Sequence, residues 1–319
     1  MKSTIFRRAI VPGVAVLALA LSACGGQADA GSGDGDGASG SVSVDGSSTV
    51  FPLSTAAAEL LNEENPAIQV TVGEAGTGGG FEVFCQDKTD ISDASRPIED
   101  DEKAVCDDAG VEYTELQVAT DALTVVVNND LDIDCLTVDQ LKKIWEPGAE
   151  GKVTNWSQVD PSFPDEAISL FGPGTDSGTF DYFTDVINGE EGASRTDYES
   201  SEDDNVIVQG VTGTPGAMGY FGYSYYEENT GDLKAVAVDS GGGCVEPSPE
   251  AAQDGTYSPL ARPLFIYVNN KSYADKAQVA EYVDFYIDNL PDVTEAAAFI
   301  GLNDEQTAET QSALDGLKG

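Results

Sequence analysis

Three turns in this chain carry the residue types that gather around an anion. Ser177-Gly178-Thr179 lies between an apolar run, residues 168–171, and an amphipathic stretch, residues 180–187. Gly46-Ser47-Ser48-Thr49-Val50 follows the alternating segment 41–44 and precedes a helical pattern over 53–63, with Pro52 suited to its first turn. Gly76-Thr77-Gly78-Gly79-Gly80 follows the apolar segment 68–72 and leads into another helical stretch. A helix start presents amides that lack an intrahelical partner, and the dipole there is positive. Small hydroxyls and bare glycines let those donors approach an oxyanion closely. One such turn reads equally well as an ordinary N-cap. Three of one design, each after a strand and before a helix, point to helix starts that converge on one anion.

Charge and composition narrow the chemistry. The chain has 15 basic and 57 acidic residues, a formal net charge of −42, and no histidine. Nucleic acid and anionic membrane surfaces are unsuited as partners. A Ser-His-Asp or Cys-His device cannot be built. Ser-Lys chemistry, carboxylate pairs and metal–carboxylate sites stay open in principle, and no cofactor motif is present. Beyond the first 40 residues the arginines are Arg96, Arg195 and Arg262. Arg96 follows Ser95 at the end of an expected strand, and a guanidinium is suited to bidentate capture of an oxyanion. Glu202-Asp203-Asp204-Asn205 reads as a solvated helix start rather than a cation site. Trp145 and Trp156 read as packing rather than as a sugar platform.

The elements that must position these residues begin after a leader. Lys2, Arg7 and Arg8 precede an apolar run, residues 9–21, that is short for a membrane span. Leu21-Ser22-Ala23-Cys24 then resembles a bacterial lipobox, so residues 1–23 are expected to be a signal peptide and Cys24 a lipidated N-terminus. The expected location is extracytoplasmic, anchored at the outer face of the cell membrane or periplasmic. Residues 24–40 read as a flexible linker. About 280 residues remain, enough for two lobes. Strands alternating with helices imply an α/β chain with mainly parallel sheets, whose ligands bind at the carboxyl ends of strands. Cys85, Cys106, Cys135 and Cys244 suggest two disulfides, with three pairings possible. Without histidine or a close Cys-x-x-Cys pair, a zinc site is not expected.

Five motifs then carry a resemblance. Ser47-Ser48-Thr49-Val50-Phe51-Pro52, Gly76-Thr77-Gly78-Gly79-Gly80, Ala94-Ser95-Arg96-Pro97-Ile98, Gly174-Thr175-Asp176-Ser177-Gly178-Thr179-Phe180 and Pro215-Gly216-Ala217-Met218-Gly219-Tyr220 occur in that order. The chain resembles the phosphate-binding proteins of bacterial phosphate ABC importers over residues 41–300 or so. The resemblance implies a type 2 periplasmic-binding-protein fold: two α/β lobes, two crossing segments near residues 117–121 and 263–266, and a hinged cleft. One lobe would comprise residues 41–119 plus 265–319, the other residues 120–264. Within those lobes, Cys85–Cys106 and Cys135–Cys244 become the favoured pairing.

The resemblance also implies a ligand, inorganic phosphate, and a partner, the membrane permease of an ABC importer. The receptor would be a monomer and not an enzyme. Ser48, Thr49, Val50, Thr77, Ser177, Gly178 and Thr179 would hold the anion. Many members of the family have Asp where Ser95 stands, and others have Arg just before Ser-Gly-Thr, where this chain has Gly174 or Thr175. Arg96, with Arg195 as a second candidate, would replace that charge. Asp176, Asp93 or Asp45 would take over the acceptor role that tells protonated phosphate from sulfate. The rivals are a receptor for another oxyanion (sulfate, molybdate or arsenate), an exported phosphate-ester hydrolase, and a surface adhesin.

Overall fold

The computed structural model describes residues 37–318 apart from Asp176 and Glu202. The expected signal peptide, Cys24, most of the linker and Asp176 therefore lie outside the described residues. The end of the linker is shorter than its composition suggests. The Asn65 side chain donates to the Ala38 carbonyl at 2.8 Å, and the Gly40 amide donates to the Ala67 carbonyl at 3.1 Å. The first strand, β1, already begins at Gly40 and runs Gly40–Gly46.

The other strands are β2 Ile68–Val72, β3 Ile91–Ala94, β4 Tyr113–Asn128, β5 Cys135–Thr137, β6 Ser169–Pro173, β7 Glu199–Ser201, β8 Ala217–Gly222, β9 Leu233–Ala235, β10 Ala237–Asp239, β11 Cys244–Val245 and β12 Ala261–Asn269. Nine of them form one sheet in the order β2-β1-β3-β12-β4-β8-β6-β7, with β9 also on β4. β5, β10 and β11 form a small second sheet. β1, β2 and β3 pair in parallel, as do β6, β7 and β8. The antiparallel pairs of the large sheet are those made by β4 and β12. These two strands cross between the halves. β4 pairs with β12 up to Ala122 and with β8 from Leu123. Its segment from Val118 to Asn128 is buried throughout, as a central strand covered on both faces must be.

The two largest of four hydrophobic clusters among the described residues lie on either side of the crossing strands. One gathers Val44, Leu53, Ile91, Ile266, Val283 and their neighbours, and the other gathers Leu123, Leu141, Trp145, Phe183, Tyr220 and theirs. Helix α1, Phe51–Glu64, buries Leu53, Ala57 and Leu61, one stripe at four-residue spacing. Each fully buried leucine there contributes about 2 kcal/mol. Helices α2 Thr77–Phe84 and α3 Asp100–Ala109 follow. The Cys85–Cys106 disulfide joins their C-terminal ends, and Cys135–Cys244 joins β5 to β11.

In the second lobe, α4 spans Val138–Trp145, α5 Trp156–Val159, α6 Gly178–Phe183 and α7 Asp204–Gly213. α6 starts two residues earlier than its amphipathic pattern predicts and continues as a π-helix, Thr184–Asn188. Trp145 and Trp156 are fully buried; Trp145 meets Phe183, Tyr198 and Tyr220 edge to face. Asp203 accepts from the Asn205 amide and caps α7, so that acidic run starts a helix. Among the described residues, no helix is long and apolar enough to cross a membrane.

Candidate functional site

The first two turns are laced to each other before any ligand arrives. The Asp45 carboxylate accepts from the Gly46 amide at 2.9 Å and the Ala75 amide at 3.0 Å. Gly76 N–H donates to the Gly46 carbonyl at 2.8 Å, and Ser47 N–H to the Asp93 carbonyl at 2.9 Å. Gly46 has φ +141°, and a Cβ there would lie 2.2 Å from the Asp93 carbonyl oxygen. Only glycine allows this approach of turn to strand. The lacing aims two helix starts at the same opening. α1 and α2 both lack a side-chain cap. The amides of Ser48, Thr49, Thr77, Gly78 and Gly79 make no hydrogen bond among the described residues.

Two cavities share the Ser48-Thr49 turn. The larger, of about 480 Å³, is lined by Ser47 to Thr49, Ala75 to Gly79, Ser95 and Arg96 from the first lobe. Asp181, Tyr182, Asp185, Val186 and Glu191 line it from the second, and Arg262 from β12. The smaller, of about 240 Å³, brings Ser177, Gly178 and Thr179 to the same turn, beside Asp121 and Tyr223. The lobes meet at the wall between the cavities. A Cβ on Gly178 would come 2.8 Å from Thr49 Oγ1 and 3.2 Å from Ser48 Oγ. Thr49 Oγ1 is thus a point where both lobes and a crossing strand converge, since Arg262 Nη2 donates to it at 2.8 Å.

Ser48, Thr49, Thr77, Ser95 and Arg96 therefore line one cavity, and Ser48 and Thr49 also line the other with Ser177 to Thr179. Thr77 and Ser95 hydroxyls are 3.1 Å apart, and the Ser95 amide donates to Thr77 Oγ1 at 3.2 Å. Ser177 Oγ accepts from the Thr179 amide at 3.2 Å, capping α6. Val50 lines neither cavity: its side chain is fully buried, and its amide donates to the Ser47 carbonyl at 3.1 Å. Arg96, with 36% of its side chain exposed, is held by Glu102 through two 2.8 Å hydrogen bonds and by Glu99 at 3.4 Å. Those contacts, the Glu102 hydrogen bond first, raise its pKa further, and the same pair lowers that of Glu102 against burial.

Arg195 is not at the cleft, which corrects its assignment as a second ligand candidate. It is buried, pairs with Asp197, and donates from Nη1 to the Ile144 and Val153 carbonyls, both at 3.0 Å. Its hydrogen bonds hold the Asp197 carboxyl at about 2. Scarcity made it a candidate; its work is to tie the end of α4 to a loop. Asp93 is sealed behind the first turn, where Ser54 Oγ donates to it at 2.8 Å. Burial pushes its carboxyl up to about 8, against that hydrogen bond, with Asp45 adding to the rise. Asp45 spends an oxygen on the two turn amides. The carboxylates that do line the larger cavity are Asp181, Asp185 and Glu191, none anticipated. Burial first, then Glu191, raise the Asp181 carboxyl, and Arg262 pulls it down. Arg262 is the third arginine beyond residue 40, and its scarcity is the signal in the sequence that points to it.

Similarity to known proteins agrees with this geometry. The PBP superfamily domain matches residues 32–289. Protein SphX of Synechocystis is 47% identical over 299 residues, covering 93% of this chain and 86% of the relative. The phosphate-binding protein PstS of Staphylococcus saprophyticus is 40% identical over 304 residues, covering 95% and 92%. The crystal structure of a possible phosphate binding protein from Planctomyces limnophilus superposes with a TM-score of 0.84 at 44% identity, covering 89% of this chain and all of that one.

Proposed function

This chain belongs to the PBP superfamily, and we propose that it is an extracytoplasmic receptor that captures inorganic phosphate and delivers it to an ABC importer. The observation that carries the reading is the convergence on Thr49, which lines one cavity with the uncapped start of α2 and the other with the Ser177-Gly178-Thr179 turn of the second lobe. An anion seated over Ser48-Thr49 would take the open amides there and at Thr77 to Gly79 as its donors. The hydroxyls of Thr49, Thr77, Ser95, Ser177 and Thr179 would complete its shell, and Gly178 would let the second lobe close without a clash. Desolvation of the anion is offset by fixed dipoles and charge-assisted hydrogen bonds. The net charge of −42 does not oppose this, because surface charges are screened beyond about 8–10 Å while donors in contact are not. The names of the staphylococcal and Planctomyces relatives favour phosphate as the cargo.

Residues 41–119 plus 265–319 form one lobe in this reading and residues 120–264 the other, hinged at β4 and β12. Phosphate bridging them stabilises the closed form, which docks on a permease. The receptor is a monomer, exported by residues 1–23 and held at the membrane by lipid on Cys24. Replacing Cys24 with Ala should release it from the membrane fraction. Calorimetric titration of the mature chain with phosphate and with sulfate tests the central reading. Phosphate should bind at micromolar concentration or below, and absence of such binding refutes it. Ser95, which offers a hydroxyl where many relatives have a carboxylate, favours one second reading: a receptor that also takes a fully ionised oxyanion. Sulfate binding as tight as phosphate binding would establish that reading instead.

A further inference from the structure

We propose that Arg262 is the guanidinium that meets the bound anion and couples its capture to lobe closure; this rests on the anion-receptor reading above. The three arginines of the described chain are in different situations. Arg195 is buried in the second lobe with its donors spent. Arg96 reaches the cavity, but Glu102 fills its fork and Glu99 adds a second carboxylate. An anion approaching it meets a cation already over-compensated.

Arg262 is held differently. It stands opposite Asp121 in the register of β12 on β4, so the pair joins the two crossing strands. Nε donates to Asp121 Oδ2 at 3.3 Å, a long contact. Burial raises the Asp121 carboxyl despite Arg262. Nη2 donates to Thr49 Oγ1 at 2.8 Å, in the first lobe. The guanidinium lies 3.6 Å over the ring of Tyr182, in the second lobe, whose hydroxyl is pinned to the Pro259 carbonyl at 2.6 Å. Nη1 has no partner among the described residues. Stacking fixes the plane of the group, and the Nη1–Nη2 edge is the pair of donors that captures an oxyanion in a fork.

One side chain thus touches the first lobe through Thr49, the second through Tyr182, and both crossing strands. An anion on its free edge lies in the larger cavity, against the Thr49 and Thr77 turns, held by a cation that already contacts each half. The carboxylates around the cavity, Asp181, Asp185 and Glu191, leave Arg262 as its cation without a tight bidentate partner. Opening the lobes must break the Thr49 or the Tyr182 contact, so the arrangement belongs to the closed form.

Phosphate titrations by calorimetry on the mature chain test this. Arg262→Gln should bind about 100-fold more weakly, the loss typical of removing a charged hydrogen-bond partner. Arg262→Lys, which keeps the charge but loses the fork, should recover part of that loss. Arg96→Gln should weaken binding far less, about threefold, as for an exposed ion pair. Arg262→Gln strands the Asp121 carboxyl, so Asp121→Asn with Arg262→Gln is the control. It should melt like the wild type without ligand and still bind weakly. Small-angle scattering at saturating phosphate should show the wild type compacting and Arg262→Gln keeping its ligand-free radius. Wild-type affinity in the double variant, or full compaction of Arg262→Gln, overturns the inference while leaving the receptor reading intact. A wild type that binds neither phosphate nor sulfate overturns both.

Discussion

The two helices that follow the cleft turns, α1 and α2, begin differently from several helices that lie away from the cleft. Away from it, Thr137 and Gln140 cap α4 reciprocally, Ser248 caps the helix Pro249–Gln253, and Asn269 accepts from two amides at the start of Asn270–Asp275. At the cleft, α1 and α2 have no side-chain cap, and the open amides that line the larger cavity are those of Ser48 and Thr49, in the turn before α1, and of Thr77 to Gly79, at the start of α2. α6 lies between the two, since Ser177 caps it and still faces Thr49. A missing cap forgoes about 1 kcal/mol of helix stability. Side-chain caps are also missing at Ala277–Asp288 and Leu290–Ala296; what sets α1 and α2 apart is that open amides from both turns line one cavity. In the receptor reading proposed above, the first lobe supplies the open donors and the second closes on what they hold.

That contrast can be broken most severely by giving α2 a carboxylate of its own. Thr77→Asp places an acid in the first turn, where the dipole favours it by about 0.3–1 kcal/mol. The ligand-free chain should melt slightly higher than the wild type. Phosphate binding should fall by about 1,000-fold or more, because like charges in contact cost several kcal/mol. A variant less stable than wild type that still binds would show that the α2 start is not an anion site.

Gly178→Ala is the next largest. Its methyl would sit 2.8 Å from Thr49 Oγ1, across the lobe interface. Because the clash exists only when the lobes meet, the ligand-free melt should be unchanged. Affinity should drop by about 100-fold, or roughly 2.7 kcal/mol. Equal losses of stability and affinity would place Gly178 in the folding of α6 rather than in closure.

How far the sequence foretold the site follows from the range of each interaction. The turns were legible because strand, small residues and helix start are neighbours in the chain. The disulfide framework followed once the lobes were assigned. Scarcity marks Arg262 in the sequence but cannot place it at the site, because its partners are remote: Thr49 is 213 positions away and Asp121 is 141. In the sequence the apolar run of β4 begins only at residue 122, because Glu115 and Asp121 interrupt what precedes it. In the fold Asp121 is buried against Arg262, and the strand continues from one lobe into the other through a register shift against β12 at Leu264/Phe265. Arg195 misled for the converse reason, since a rare residue type looks functional until its carbonyl partners are known.

Asp93 sharpens the comparison through pH. Its carboxyl lies against the first turn of α1, hydrogen-bonded by Ser54, and it faces Asp45, Tyr282 and Tyr286. Raised from 3.8 to about 8, it keeps a proton in the folded state that the unfolded chain releases near pH 4. Its contribution to stability is therefore full below pH 4, falls as pH rises, and is lost above about pH 8. Asp93→Asn cannot ionise and can still accept from Ser54. Calorimetric melts should show the wild type losing more stability than Asp93→Asn between pH 5 and pH 8. Parallel curves would mean that Asp93 is ionised in the fold and competes with the cargo for the α1 dipole.

The smallest effect belongs to the capped side of the contrast. Thr137 Oγ1 accepts from the Gln140 amide at 3.1 Å, and Gln140 Oε1 returns the bond to the Thr137 amide at 2.9 Å. Thr137→Ala removes half of that box and should cost about 1 kcal/mol. For a chain of this size that is about 2–4 °C in Tm. Saturating phosphate should raise the variant's Tm by as much as it raises the wild type's, since added ligand stabilises according to its own affinity. If the increment differs, the start of α4 is coupled to the cleft. If it is equal, stability and capture are separable at the level of single helix starts, the cap serving one and its absence the other.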